Sequence, residues 1–213
     1  MFDLFKSKYR IPSARLQTWD YANEGMYFIT ICTKNMECFF GEIVETPCMA
    51  SLKKPDTVET QCVASNQKPD GQETPCMASL RATEIGKIAE MEWYKTVELR
   101  PDMNLEMAEF VVMPNHIHGI IAIGENEFNS VTRRDAMHRV STNKFGPQKK
   151  NIASIIRGYK SAVTNYANKN NVSFAWQPRF HDHVIRTIDE YAKISNYILN
   201  NPTKWLEDKF YKP

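Results

Sequence analysis

Residues 45–80 carry a tandem repeat, and it limits what the rest of the chain can build. Glu45-Thr-Pro-Cys-Met-Ala-Ser-Leu52 returns unchanged as Glu73-Thr-Pro-Cys-Met-Ala-Ser-Leu80, with a degraded copy, Glu59-Thr-Gln-Cys-Val-Ala-Ser65, midway. Lys54-Pro-Asp56 likewise recurs as Lys68-Pro-Asp70. A stacked solenoid needs a hydrophobic face and a full supersecondary unit in every repeat. These copies start at residues 45, 59 and 73, so each unit is 14 residues, too short and too polar for that. Near-identity points to recent duplication of coding DNA. The segment reads as a flexible surface insertion at a hairpin tip, two extra copies (28 residues) long. About 185 of the 213 residues are left for the fold, enough for one domain with a real core and short for two.

Composition narrows the class. No apolar run reaches the length of a membrane span; Gly119-Ile120-Ile121-Ala122-Ile123 is among the longest. The first residues, Met1-Phe2-Asp3-Leu4-Phe5-Lys6, lack the charged-then-apolar layout of a secretory signal, so a cytoplasmic protein without a membrane partner is expected. The five Cys include no Cys-x-x-Cys pair, which removes zinc ribbons and thioredoxin-like chemistry. Net charge is only +2, but the charge is uneven. Residues 129–161 hold eight Lys/Arg (Arg133, Arg134, Arg139, Lys144, Lys149, Lys150, Arg157, Lys160) against one acid, Asp135. Lys6, Lys8, Arg10 and Arg15 form a second basic stretch. Local excess of this size can bind phosphates, though a solvated loop and helix face would look the same.

Outside the insertion the periodicities give a mixed α+β chain. Residues 26–33 read as a strand, with 38–44 as its hairpin partner. Residues 84–99 read as a helix ended by Pro101. Residues 107–113 and 116–123 read as two strands joined at Pro114-Asn115, and 124–148 as a polar, basic loop. Residues 151–168 form a helix with Ile152, Ile155, Ile156, Tyr159, Val163 and Tyr166 on one face. A strand at 180–186 and a closing helix at 188–199, stopped by Asn201-Pro202, complete the order. This is the order of a ferredoxin-like antiparallel sheet with helices on one face, in a single domain spanning residues 1–213.

Three local patterns carry chemistry. In Met113-Pro-Asn-His116-Ile117-His118, a strand puts both imidazoles on one face and Ile117 on the other. Two neutral imidazoles can hold a divalent cation and leave positions for phosphate oxygens, and a wet polar strand face is the plainer reading. In Ser154-Ile-Ile-Arg-Gly-Tyr159-Lys-Ser, periodicity alone makes Tyr159 a core residue. Its neighbours Arg157 and Lys160 would also suit a phenol that must be activated. In Trp176-Gln-Pro-Arg-Phe-His181-Asp-His183-Val-Ile-Arg186, two further imidazoles share one strand face.

The three motifs in this order resemble the REP-associated tyrosine transposases, relatives of the single-tyrosine HUH transposases of small bacterial insertion sequences. Tyr27-Phe-Ile-Thr-Ile-Cys-Thr33, Phe40-Gly-Glu-Ile43 and Ile198-Leu-Asn-Asn-Pro202 fit as well, and residues 45–80 do not. The resemblance implies a metal-dependent nuclease and strand transferase acting on single-stranded or hairpin DNA, working as a homodimer. By the same resemblance His116 and His118 would bind Mg²⁺ or Mn²⁺, and Tyr159 would attack the phosphate to leave a 5′-phosphotyrosine. The phosphotyrosine keeps the bond energy, so no ATP is needed, and the chain has no P-loop. Arg15, Arg133, Arg134, Lys149, Lys150, Arg157 and Lys160 are the expected DNA contacts.

One departure stands out. In the insertion-sequence relatives a polar residue four after the tyrosine completes the metal shell, and here that position is Val163. His183, ahead of His181, is the expected replacement ligand. Two other functions fit the same residues less fully: a domesticated protein that binds hairpin DNA without cutting, and a metal-dependent RNA or nucleotide hydrolase that uses the His pair alone.

Overall fold

The computed structural model describes residues 19–46, 77–129 and 149–212. Strand β1 (Gly25–Cys32) alternates as its sequence does, with Tyr27, Ile29 and Ile31 fully buried on one side and Phe28 and Thr30 on the other. Strands β4 (Leu105–Val112), β5 (His116–Ile123) and β6 (His181–Ile185) join it in a four-stranded sheet of order β4-β5-β1-β6. All three pairings are antiparallel. The α+β class and the antiparallel sheet are as the sequence predicts.

Three helices cover this sheet. Helix α1 (Glu84–Glu98) starts at Thr83, whose hydroxyl accepts from Gly86 N. Helix α2 (Ile152–Lys169) starts at a capping box in which Asn151 and Ser154 satisfy each other's backbone N–H. Both bury their apolar stripes, including Trp93, Ile155, Ile156 and Val163, on the sheet face that carries Ile29, Ile31, Ile117 and Ile121. Helix α3 (Ile188–Asn200) does not share that face. Its Tyr191, Ile194 and Ile198 pack with Phe28, Val111, Ile120 and Ile185 on the opposite side. The expectation of helices on one face therefore holds for α1 and α2, while α3 adds a layer on the other. Its apolar stripe needs a partner, and Phe28 and Ile120, by strand alternation, leave that face apolar too.

Strands β2 (Gly41–Thr46) and β3 (Met77–Ala82) form a separate two-stranded antiparallel sheet. This corrects the expected hairpin between residues 26–33 and 38–44. After β1 the chain makes a one-turn 3-10 segment (Lys34–Met36) in which Asn35 and Met36 are left-handed, and the turn carries the chain away from the end of this interior strand. The partner of β2 is instead the last repeat copy, paired from Gly41↔Ala82 to Thr46↔Met77. The ends of the repeat thus belong to a hairpin, and its connection, residues 47–76, lies outside the described residues. Deleting residues 47–74, which is 28 residues, would leave Pro75-Cys76 to join Thr46 and Met77. Proline suits two-residue hairpin turns poorly, so the last strand pair should open and little else. The melting temperature is expected to move by about 3 °C or less. A drop several times larger would make the repeat part of the core.

One glycine decides how α1 sits on the sheet. A Cβ at Gly119 would stand 2.4 Å from the Trp93 ring. That ring is stacked on Phe110 at 4.6 Å and meets Tyr159 edge-on at 5.5 Å, so it has nowhere to go. Gly119→Ala is expected to cost about 1–3 kcal/mol through overpacking. An unchanged urea midpoint would show that Trp93 can move.

Candidate active site and metal centre

The face of the sheet under α3 carries the histidine pair. His116 and His118 are both buried on β5, with ring centroids 4.5 Å apart. The amide nitrogen of buried Asn115 donates to the carbonyls of Met36 and Phe210, leaving its Oδ1 free to accept. His116 Nδ1 lies 2.9 Å from that oxygen and must therefore carry the proton. Its Nε2 then bears a lone pair, and that atom is buried without a hydrogen-bond partner. His118 is fixed by Thr30 Oγ1, 2.9 Å from Nδ1, and by the ring of Phe28, stacked at 5.3 Å. Burial holds His116 down at about 4, Asp208 opposing and Lys209 adding to the effect. Burial, then His116, Lys209 and His181, push His118 well below the usual imidazole range. Both rings are neutral at pH 7, the form that binds metal.

A carboxylate completes the group. Past α3 a short 3-10 helix (Pro202–Glu207) buries Trp205 and turns the chain back toward the sheet. Asp208 follows it, its Oδ1 accepting from Phe210 N at 2.6 Å and its Oδ2 from Asn201 Nδ2 at 3.0 Å. One ligand atom each from His116, His118 and Asp208 lie within 4.8 Å of one another. Two imidazoles, one with an orphaned lone pair, and a carboxylate fit a divalent cation such as Mg²⁺ or Mn²⁺.

A tyrosine stands at this group, and it is Tyr197. Its hydroxyl is 3.1 Å from His118 Nε2 and 3.3 Å from Asp208 Oδ2. Partial burial and then the charge of Asp208 push its phenol up to about 12. The residue is 41% exposed. Two cavities meet at it. One, of about 490 Å³, is flanked by Lys193, Lys204 and Lys209; the other, of about 530 Å³, runs over His118 toward Phe180.

Tyr159 lies elsewhere. It is buried on the opposite face of the sheet, its hydroxyl donating to Ala89 O at 2.9 Å. Burial, followed by the charge of Glu92, holds its phenol well above the usual range. The structure brings His116 and His118 together and separates Tyr159 from them by the thickness of the sheet. The core reading that its helical spacing carries is the one the structure realises. Val163 is fully buried in the same cluster and faces no metal group.

His183 shares the histidine face, as strand alternation requires, but not the site. Strand β1 lies between β5 and β6, so the two histidine strands stand about 10 Å apart. His183 Nε2 instead meets Glu190 Oε1 at 2.6 Å. His181 pairs across from Thr30 and lines the larger cavity beside His118. Asp208, not His183, stands with the His pair because it arrives over them from the chain beyond α3, not along the sheet.

The expected DNA contacts are scattered. Arg15, Arg133 and Arg134 lie outside the described residues. Lys150 is ion-paired with Asp102 near the start of β4, at the end of the sheet away from His116. Lys149 and Arg157 are exposed on the α2 side. Lys160 faces backbone, donating to Gln177 O at 2.7 Å and Arg179 O at 2.9 Å. Among the described residues, the lysines around the His-His-Asp group are Lys193, Lys204 and Lys209, none of which is among the contacts expected from the sequence. Tyr197, Asn201 and Asp208 were passed over too. The available signal was the mismatch at Val163: Asn201 stands four residues after Tyr197, where the resemblance asks for a polar residue.

The fold and site define an α+β protein with a His-His-Asp group beside a half-exposed tyrosine. No family model matches the chain. The chain belongs to the same family as an uncharacterized protein of Haemophilus influenzae, which is 32% identical over 200 residues, 93% of this chain and 92% of that protein. It is also similar to the solved structure of a REP-associated tyrosine transposase bound to a REP hairpin. There the TM-score is 0.47 and the identity 17%, over 92% of this chain and 74% of that one. Among the described residues no helix is long and apolar enough to cross a membrane.

Proposed function

We propose that this chain is a metal-dependent, single-tyrosine HUH nuclease that cuts and rejoins single-stranded DNA, with Tyr197 as its nucleophile. The observation that carries the reading is the Tyr197 hydroxyl, in contact with both His118 Nε2 and Asp208 Oδ2 beside the orphaned Nε2 of His116. His116, His118 and Asp208 would hold Mg²⁺ or Mn²⁺. When bound, the cation polarises the scissile phosphate and offsets charge in the transition state.

The chain's own residues do the rest. Tyr197 passes its proton to Asp208 Oδ2, the oxygen already held by Asn201. The Tyr197 oxygen bonds to phosphorus as the P–O3′ bond breaks, and the leaving 3′ oxygen takes a proton from water. The product is a 5′-phosphotyrosine and a free 3′-OH, which can re-attack to rejoin strands. A phenol held near 12 is protonated at neutral pH, so this base matters. Lys193, Lys204 and Lys209 offer charge to the neighbouring phosphates. Hairpin DNA as substrate and a homodimer as the working unit follow from the motif resemblance and belong to this proposal.

The test is incubation with single-stranded hairpin oligonucleotides and Mn²⁺, followed by peptide mapping of the covalent adduct. An adduct on Tyr197 supports the reading. An adduct on Tyr159, or cleavage that never passes through a protein–DNA bond, overturns it; the second result would favour a hydrolase using the His pair alone.

A further inference from the structure

Phosphates account for the lysine-flanked cavity, while the one on the other side of Tyr197 shares only Lys209 of those three lysines and is otherwise walled by rings and polar groups. That second cavity, about 530 Å³, has Phe28, Phe180 and Phe210 among its walls and Gln177, Arg179 and His181 among its polar groups. Its size falls in the range of roughly 300–1,000 Å³ usual for small-ligand sites. Rings are poor partners for a phosphate and good ones for a flat heteroaromatic ring. Only an unstacked base can enter such a space, which matches single-stranded substrate.

The polar side of this cavity is built and held. Lys160 reaches from α2 to donate to the carbonyls of Gln177 and Arg179, and Gln177 N donates to Cys32 O at 2.9 Å. Trp176 Nε1 in turn donates to Lys160 O at 3.1 Å. Arg179 is kept in the left-handed region at φ 69°, a conformation a non-glycine residue holds only when its surroundings impose it. Three hydrogen bonds therefore fix the backbone that presents Gln177 and Arg179, and the Trp176 side chain ties the preceding residue to α2.

From this geometry we infer that the cavity receives one nucleobase of single-stranded DNA, from the nucleotide adjoining the scissile phosphate. The aromatic walls take the base's faces and Gln177 and Arg179 its edge. Lys160 is a positioning residue for them. The inference rests on the nuclease reading and names the part of the substrate that sets the strand's register at Tyr197.

The experiment uses the full chain and a cleavable hairpin oligonucleotide, with an abasic residue placed in turn at each position flanking the cut. Two readouts are taken: equilibrium binding in EDTA, and adduct yield in Mn²⁺. The expected result is a loss of about ten-fold or more in binding at one flanking position, the scale of one stacked base. Gln177→Ala and Phe180→Leu should weaken binding to the intact strand and add little to the abasic defect. Adduct formation with no abasic position felt in either readout overturns the pocket and leaves the nuclease standing. Abasic-sensitive binding without any adduct overturns the nuclease and keeps the pocket. If the losses from Gln177→Ala and the abasic residue multiply, the base sits elsewhere and the inference fails.

Discussion

Tyr197→Phe is expected to lower covalent adduct formation by at least about a thousand-fold, the scale on which removing a nucleophile acts. Hairpin binding should persist, because the lysines stay and Phe keeps the ring that Tyr197 gives to both cavities. Tyr159→Phe is expected to keep adduct formation near normal. That change removes only the hydrogen bond to Ala89 O, at a cost of about 1 kcal/mol in stability. The pair of variants separates the two tyrosines without ambiguity. Full adduct yield in Tyr197→Phe would dismiss the site as drawn, whatever Tyr159→Phe does.

The second large effect concerns the metal. Asp208→Asn keeps the shape of the side chain but halves its acceptor capacity and removes its charge. His116→Ala removes the one imidazole nitrogen that, among the described residues, is buried with no partner. Each should raise the Mn²⁺ concentration needed for half-maximal cleavage about ten-fold or more, Asp208→Asn should also lower the rate at saturating Mn²⁺ because the proton acceptor is lost, and EDTA should stop the wild type. His183→Ala should leave the titration where it was, since that imidazole is engaged by Glu190. The titration decides between the two candidate third ligands. A His183→Ala shift with an unmoved Asp208→Asn would restore the strand residue to the site. Cleavage by the wild type in EDTA would remove the metal altogether.

Much of the molecule was legible before its structure. Helices α1, α2 and α3 and strand β5 fall within a residue or so of where apolar spacing and the stops at Pro101 and Pro202 place them. Those signals are local: each is written within a turn or two of the chain. The same-face geometry of His116 and His118 was legible for the same reason, since a strand repeats every two residues. Even the parity of His183 was right.

What the sequence could not decide was distance across the sheet and which face each helix covers. Apolar spacing in α2 and α3 announces that both are amphipathic and says nothing about which side of β1 and β5 receives them. That choice put Tyr159 among Trp93 and Ile156 in the core, and Tyr197 over His118. Strand order is equally silent in the chain, and it set β1 between His118 and His183. Asp208 sits 90 residues from His118 in an irregular turn, where no period marks it. Its place is set by Trp205 packing, the Asn201 amide and the backbone of Phe210, contacts that exist only once α3 has docked. The sequence by itself determined the elements and the strand that carries the His pair, because those depend on neighbours in the chain. Only tertiary structure placed Tyr197 and Asp208 beside that pair, because their positions depend on which surfaces meet.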